Sequence, residues 1–121
     1  MPVETVYEWN YESGKAARWG IRRNDGTPFA IAGIYRAWQS PEGQNVWSFA
    51  MLTVNADGQA TWARMHKPRD EKRMVVILER EEQDRWLTCP VSEASHFFKQ
   101  WRGVTMDFPA ALPPRRGPQR A

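Results

Sequence analysis

The chain has few of the residues that build metal sites and covalent frameworks. Its 121 residues include one cysteine, Cys89, and two histidines, His66 and His96. One cysteine excludes an intramolecular disulfide framework and is typical of a reducing compartment. The histidines have no cysteine or aspartate partners at ligand spacing, and no glycine-rich phosphate loop is present, so we expect neither a metal nor a cofactor.

Long hydrophobic runs are also missing. No apolar stretch approaches the ~20 residues that a membrane-spanning helix needs, and the first residues lack a charged and then apolar signal pattern. We therefore expect a monomeric protein of the cytoplasm with no membrane partner. The net charge of +3 is compatible with binding nucleic acid but does not by itself indicate it.

Tryptophan, by contrast, is abundant, with seven residues in a short chain. Aromatic side chains bury large areas, so most of these residues are expected in the core or on half-buried strands. Stacking on nucleobases is the less common alternative. With 41% hydrophobic residues, the chain can form one domain with a modest core.

The first two thirds of the chain have the apolar patterns and turn residues of β-strands. Strands are predicted at residues 5–9, 17–22, 29–38, 46–54 and 74–78. A hairpin turn is predicted at Asn24-Asp25-Gly26, because these residue types tolerate positive φ. The run 29–38 is almost continuously apolar, which predicts a strand buried on both faces.

The last third predicts helices and then a tail. A charged helix over 79–87 ends before Cys89-Pro90, and Ser92 is a candidate N-cap for a second helix that reaches Trp101. Residues 60–65 fit either a helical turn or a short extended piece. Residues 109–121 are rich in proline and arginine, so we expect a folded domain over 1–108 and a disordered tail.

Two polar residues occupy hydrophobic, strand-like surroundings. Glu8 faces either solvent or a pocket, and in a pocket burial would raise its pKa and make it a proton donor near neutral pH. His66 lies in a basic loop and is either a solvated residue or a catalytic imidazole. A carboxylate and an imidazole are the side chains best suited to moving protons at this pH.

Four blocks of sequence, taken in order, are similar to one known family. They are Val6-Tyr7-Glu8-Trp9, residues 27–35, residues 48–56, and His66 followed by Arg73-Met74-Val75-Val76-Ile77-Leu78. This set resembles the SRAP family, the SOS response-associated peptidases, over about residues 2–90. The resemblance implies an α+β fold, mostly an antiparallel β-sheet or partial barrel with two short C-terminal helices, of which 1–108 would be a partial domain.

The resemblance also implies a chemistry and a partner. SRAP proteins sense abasic sites in single-stranded DNA through a cysteine that follows the initiator methionine. Its thiol and α-amine react with the opened sugar aldehyde and form a thiazolidine crosslink, and the peptidase name reflects removal of that methionine. In this chain Glu8 would be the acid–base residue, and His66 would stabilise or protonate the sugar oxygen.

DNA contacts are predicted around the same site. The basic cluster near His66 and a segment similar to one that lines the site in SRAP proteins supply the candidates Thr53, Asn55, Lys67, Arg69, Lys72 and Arg73. A solvated loop is the alternative for the basic cluster.

The chain departs from the family pattern at its start. Position 2 is Pro2 instead of cysteine, the N-terminal half of the family has no counterpart, and Cys89 lies mid-chain without a neighbouring α-amine. We therefore expect the chain alone to lack the nucleophile, and whether it is an enzyme stays open. The alternatives are a noncatalytic single-stranded DNA-binding or interaction remnant, and an inert product that folds poorly. Loss of half a core would leave the strands at 29–38 and 46–54 with an open face.

Overall fold

The structure is a computed structural model that describes residues 1–112. The strands, in chain order, are β1 (Pro2–Val3), β2 (Val6–Asn10), β3 (Ala17–Arg23), β4 (Phe29–Ala30), β5 (Gly33–Gln39), β6 (Asn45–Met51), β7 (Thr53–Asn55), β8 (Arg73–Val75) and β9 (Thr105–Pro109). The helices are a first 3₁₀-helix (Trp62–Arg64), the α-helix α1 (Arg80–Thr88) and a second 3₁₀-helix (Val91–Phe97). Residues 113–121, which make up most of the predicted tail, lie outside the described residues.

The strands form small antiparallel sheets. Their orders are β1-β4, β2-β3-β9, β5-β6 and β7-β8, and every ladder between them is antiparallel. The α+β class and the antiparallel pairing are therefore as predicted. Within residues 1–112 the ladders form four separate sheets and no closed barrel is found, so the partial barrel stays a prediction.

Three segments tie the small sheets together through backbone hydrogen bonds. The amide of Ala32 donates to the carbonyl of Val76 at 2.9 Å, the amide of Val76 to Leu52 at 2.9 Å, and the amide of Leu52 back to Ala32 at 3.0 Å. Ala32 and Val76 are fully buried. The junction satisfies backbone groups that strand ends would otherwise leave unpaired in the core.

An aromatic cluster forms the centre of the core. Phe29 packs edge-to-face against Trp62 and Trp101, with ring centroids 6.2 and 5.6 Å apart. Ile21 and Met65 are fully buried in the same cluster. Two of the seven tryptophans thus take the predicted core role, since edge-to-face pairs are favourable arrangements for buried rings.

The apolar run at 29–38 is not one strand buried on both faces. It divides into β4 and β5, and from Ile34 onward β5 is exposed. The predicted strand 46–54 divides at Leu52 in the same way, and all of β6 is exposed. The reason is packing, since β5 and β6 pair with each other and no other described element covers them. The expectation of an open sheet face is confirmed.

The predicted helices differ in their outcome. The first corresponds to α1, whose start is fixed by a capping box between Glu79 and Glu82. The predicted second helix is wrong in type and length: it is a 3₁₀-helix that starts after Pro90 and ends at Phe97. Phe97 docks on Trp86 with ring centroids 5.3 Å apart, while Phe98 is exposed. Trp101 therefore lies beyond the end of this helix.

Strand β9 was not predicted. It pairs antiparallel with β3, and its last residue, Pro109, lies opposite Trp19. The next residues continue along β3, because the amide of Ala110 donates to the carbonyl of Arg18 at 2.9 Å and the Arg18 guanidinium donates to the carbonyl of Ala111 at 2.7 Å. The first residues of the segment 109–121 are thus bound to the domain.

Candidate functional site

Glu8 projects inward from β2. Strand side chains alternate between faces, and its neighbours Tyr7 and Trp9 are about half exposed on the opposite face. The Glu8 side chain is 18% exposed. Of the two alternatives left open by the sequence, the structure shows the inward, largely buried orientation and not the solvent face.

The His66 loop is anchored to the same strand. His66 follows the first 3₁₀-helix, and its amide donates to the carbonyl of Trp9 at 2.7 Å. Met65, which is fully buried, forms a β-bridge with Asn10 at the end of β2. These contacts bring the loop alongside Glu8.

The two candidate catalytic side chains meet. Nε2 of His66 lies 3.9 Å from Oε2 of Glu8 and 2.7 Å from the carbonyl oxygen of Arg73. A carbonyl oxygen can only accept, so Nε2 of His66 carries a proton. The ring is therefore the Nε2–H tautomer when neutral, and Nδ1 is its basic nitrogen.

The environment of Glu8 favours its protonated form. Burial raises the pKa of the Glu8 carboxyl above the ordinary value of 4.5, and the nearby His66 and the Trp62 indole oppose this change only in part. The indole N–H of Trp62 is buried and makes no hydrogen bond of ordinary geometry within residues 1–112. The Trp62 N–H thus lies beside Glu8 and favours the carboxylate form electrostatically, without an ordinary hydrogen bond to it. Glu8 can act as a proton donor or, once ionised, as a base.

Lys72 fastens the His66 loop. Its ammonium donates to the carbonyl oxygens of Met65, His66 and Lys67 at 2.8, 3.1 and 3.2 Å. Its own carbonyl accepts from the amide of Ala56 at 2.8 Å, which joins the loop to the end of β7. His66 has a φ of 70°, a conformation that costs a non-glycine residue about 1 kcal/mol or more. The three bonds from Lys72 hold the loop in this strained turn.

The predicted DNA contacts lie beside this loop in two groups. In the first, the Arg73 guanidinium donates to the carbonyl oxygen of Thr53 at 2.8 Å and pairs with Glu71 at 3.0 Å, and Asn55 donates to Glu71 at 3.2 Å. In the second, Lys67 and Arg69 are exposed. Lys72 belongs to neither group because its ammonium binds the loop carbonyls, and a role for it in DNA binding stays a prediction.

Sequence reasoning did not identify two residues that shape the site. One is Trp62, described above. The other is Asn10, which is 2% exposed and donates to Glu12 at 2.7 Å and to the carbonyl of Arg64 at 3.3 Å. It thereby fixes the chain just ahead of His66. A polar residue at the end of an apolar strand, directly after the Glu8-Trp9 pair, was the available signal.

The remaining sulfur and metal-type side chains lie elsewhere. Cys89 lines an apolar cavity with Trp86 and Ile34, a different set of residues from those around Glu8. Among the residues that the structure describes, no group of three His, Cys, Asp or Glu side chains is placed to hold a metal ion. No helix in that part of the chain is long and apolar enough to cross a membrane.

The family model of the SOS response associated peptidase, SRAP, matches residues 1–109. The chain belongs to the SRAP family. Among curated SRAP relatives, it is similar to the abasic site processing protein YoqW of Bacillus subtilis and to the protein of the same name from Bacillus phage SPbeta. It is 30% identical to each over 88 residues, which are 72% of this chain and 36% of each relative.

The chain is also similar to solved structures. A crystal structure of a protein from Bordetella bronchiseptica matches with a TM-score of 0.85 and 33% identity, over 93% of this chain and 54% of that one. A protein from Bacteroides thetaiotaomicron matches in fold, with a TM-score of 0.69 and 22% identity, over 92% of this chain and 48% of that one. The chain thus spans about half the length of these structures and about a third of the curated SRAP relatives.

Proposed function

We propose that this chain carries the acid–base pair of an SRAP-type domain that processes abasic sites in single-stranded DNA during the response to DNA damage. The observation that carries the proposal is the contact between Glu8 and His66, with a buried carboxyl of raised pKa beside an imidazole of fixed tautomer. Membership in the SRAP family and similarity to proteins named for abasic-site processing supply the substrate.

In the proposed reaction, the abasic sugar first opens. Glu8 donates a proton to the ring oxygen as its bond to C1′ breaks, and the C1′ hydroxyl gives its proton to the resulting Glu8 carboxylate as the aldehyde forms. An amine then attacks C1′, water leaves as a Schiff base forms, and a thiol adds across the resulting C=N bond. The product is a thiazolidine plus one water, with no oxidation or reduction. Because Nε2–H of His66 donates to the carbonyl oxygen of Arg73, the ring stabilises the sugar oxygen through Nδ1–H in its doubly protonated form. Ionised Glu8 takes up protons from the incoming nucleophiles.

The thiol and amine have to come from a residue outside the site described here. Cys89 is the only cysteine of the 121 residues, and it lines the apolar cavity beside Trp86. We propose that the chain by itself forms no thiazolidine crosslink. Removal of an initiator methionine to expose a cysteine, the peptidase activity, would then belong to a protein that also contains that cysteine.

The proposed partner is single-stranded DNA, bound by a monomer in the cytoplasm with no metal, cofactor or membrane. Lys67 and Arg69 are exposed and would bind phosphates. Thr53, Asn55 and Arg73 would contact the strand from β7 and β8, next to the carbonyl that accepts from His66.

The test uses a fluorescent single-stranded oligonucleotide with one abasic site. The chain alone is expected to give no crosslink that survives heating. The comparison is with a fused protein. It joins this chain to the part of the Bordetella relative that the chain does not match, in the order of that relative, and it begins with a cysteine. This fused protein is expected to crosslink. A heat-stable crosslink from the chain alone would overturn the assignment of the nucleophile.

A second candidate is noncatalytic binding of single-stranded DNA. It is favoured by the exposed rings of Tyr35 and Trp47, whose centroids lie 6.0 Å apart and offer faces for base stacking. Binding that is equally strong for abasic and intact strands, and a fused protein without crosslinking, would select this candidate.

A further inference from the structure

The β5-β6 hairpin presents a large apolar surface to solvent. Its exposed large side chains are Ile34 (52%), Tyr35 (75%), Trp38 (49%), Val46 (37%), Trp47 (68%), Phe49 (56%) and Met51 (50%). Single exposed apolar residues are normal on a folded protein, but a contiguous patch of this kind marks an interaction site. Because side chains alternate along a strand, this series of neighbouring residues exposes both faces of the hairpin.

The backbone of the hairpin is also open. Within residues 1–112, β5 and β6 pair only with each other, so each strand has an outer edge without a ladder partner. Such edges bind further strands, because their N–H and C=O groups are already aligned for pairing. The surface therefore fits a polypeptide that supplies both strands and apolar side chains.

An apolar cavity continues this surface. It has a volume of about 610 Å³ and lies between the hairpin residues Ile34, Tyr35 and Phe49 and the helical residues Trp86 and Leu87. A partner that covers the hairpin can place side chains in this cavity. The combination of open strand edges and an adjoining apolar cavity is typical of a surface that is buried in a completed domain.

The charge of the hairpin argues against nucleic acid as its main occupant. Arg36 and Glu42 are the only charged residues between 33 and 51. A strand of DNA needs cations along its phosphates as well as aromatic faces for its bases. The exposed cations Lys67 and Arg69 lie in the His66 loop and not on the hairpin.

We propose that the β5-β6 hairpin docks the remaining part of the SRAP fold, supplied by polypeptide outside this chain. The Bordetella structure superposes over 93% of this chain yet has nearly as much chain again outside the match, since the match covers 54% of it. That additional polypeptide is long enough to cover the open hairpin and its strand edges. The inference depends on family membership and on the exposed hairpin, and not on the reaction proposed above.

Amide hydrogen exchange in the fused protein tests the inference. The fused protein joins this chain to the unmatched part of the Bordetella relative, and the comparison is with the chain alone. We expect amides of β5 and β6 that face the open edges to exchange at least about tenfold more slowly in the fused protein. Amides of β9, which is already paired with β3, serve as the internal control. Equal exchange at the hairpin in both proteins would overturn the proposal.

Side-chain variants identify the contact surface. Trp47→Ser and, as a second variant in case the first fails to fold, Ile34→Glu are expected to abolish the added protection at the hairpin. Val104→Ser is the matched control, because Val104 is 71% exposed but lies outside the hairpin and the cavity. Retained protection in both hairpin variants would overturn the proposal.

Two other occupants are separate outcomes of the same series. Sedimentation of the chain alone at rising concentration reports self-association, and a dimer that Trp47→Ser dissociates would assign the hairpin to a second copy. Slowed exchange at the hairpin on adding an intact single-stranded oligonucleotide would assign it to DNA. Either result would replace the proposed occupant. Crosslinking yield is measured independently, so a failure of the reaction proposal does not affect this readout.

Discussion

The carboxylate of Glu8 and the imidazole of His66 approach to 3.9 Å although one lies in β2 and the other follows the first 3₁₀-helix. The backbone bond between the His66 amide and the Trp9 carbonyl, at 2.7 Å, fixes this approach. The backbone contact between β2 and the His66 loop thus sets the distance between the two side chains.

Replacement of Glu8 should make the fold more stable near neutral pH. The pKa of Glu8 is above 4.5 in the folded chain because of burial, and about 4.5 when unfolded. As pH rises through 4.5, the Glu8 carboxyl ionises in the unfolded chain before it does so in the folded chain. The free energy of unfolding of the wild type therefore falls until the pH exceeds the pKa of Glu8 in the folded chain. Glu8→Gln avoids this loss. Urea unfolding should show the variant to be the more stable at pH 7, with the difference shrinking below pH 4.5.

Glu42→Gln, in the exposed turn of the hairpin, is the control for removing a negative charge. A Glu8→Gln protein less stable than the wild type at pH 7 would show that the carboxylate is held by stabilising contacts and not desolvated.

Removal of the Lys72 ammonium should release the His66 loop. Lys72→Met keeps the length of the side chain but loses three hydrogen bonds to loop carbonyls. We expect a loss of about 1–3 kcal/mol in the free energy of unfolding and a large change in the ring chemical shifts of His66. Lys67→Met, at an exposed position in the same loop, should change neither by more than a small amount. Unchanged His66 shifts in Lys72→Met would exclude a positioning role.

A methyl group at Gly20 should disturb the sheet that carries Glu8. A Cβ at this position would lie 2.6 Å from the ring of Phe108 on the neighbouring strand β9. Gly20→Ala is therefore expected to cost about 1–3 kcal/mol, measured by urea unfolding. In a Phe108→Ala background the same change should cost less, because the ring is gone. Equal costs in both backgrounds would show that the contact with Phe108 is not responsible.

Affinity for single-stranded DNA should depend on Lys67 and Arg69 and on salt. Replacing both residues with serine should reduce the affinity for single-stranded DNA, measured by fluorescence anisotropy. The plot of the logarithm of the binding constant against the logarithm of the salt concentration should become less steep by about one unit or more. Arg36→Ser with Arg80→Ser removes the same charge from exposed positions outside the His66 loop. A larger loss in this control pair would place the DNA on another face.

Much of the site could be predicted from the sequence, because local patterns carry it. Alternation in β2 implied that Glu8 faces away from Tyr7 and Trp9, and the family motifs paired it with His66. The interior role of Lys72 was not predictable, since a lysine in a run of charged residues is indistinguishable from a solvated one until the loop closes around it. Likewise Trp62 is one of seven tryptophans, and only tertiary packing places its N–H beside Glu8.

The fold shows the same division. Helix α1 was predictable because Glu79 and Glu82 form a local capping box. Strand β9 was not, because its pairing with β3 is long-range and Pro109 reads as part of a proline-rich tail. The apolar run from Phe29 was predicted to be buried, but burial depends on what covers a strand, and the described residues place nothing over β5.

The central claim is that Glu8 and His66 act together on the abasic sugar. Its most direct test is the single-turnover rate of crosslink formation by the fused protein. The rate is measured for the wild type, Glu8→Gln, His66→Gln and the double variant, with Glu93→Gln, in the second 3₁₀-helix, as an exposed control. We expect each site variant to be slower by about 10²–10⁴-fold and the double variant to be about as slow as the slower single one, because the two groups work as a unit. Crosslinking at the wild-type rate by Glu8→Gln would contradict the assignment.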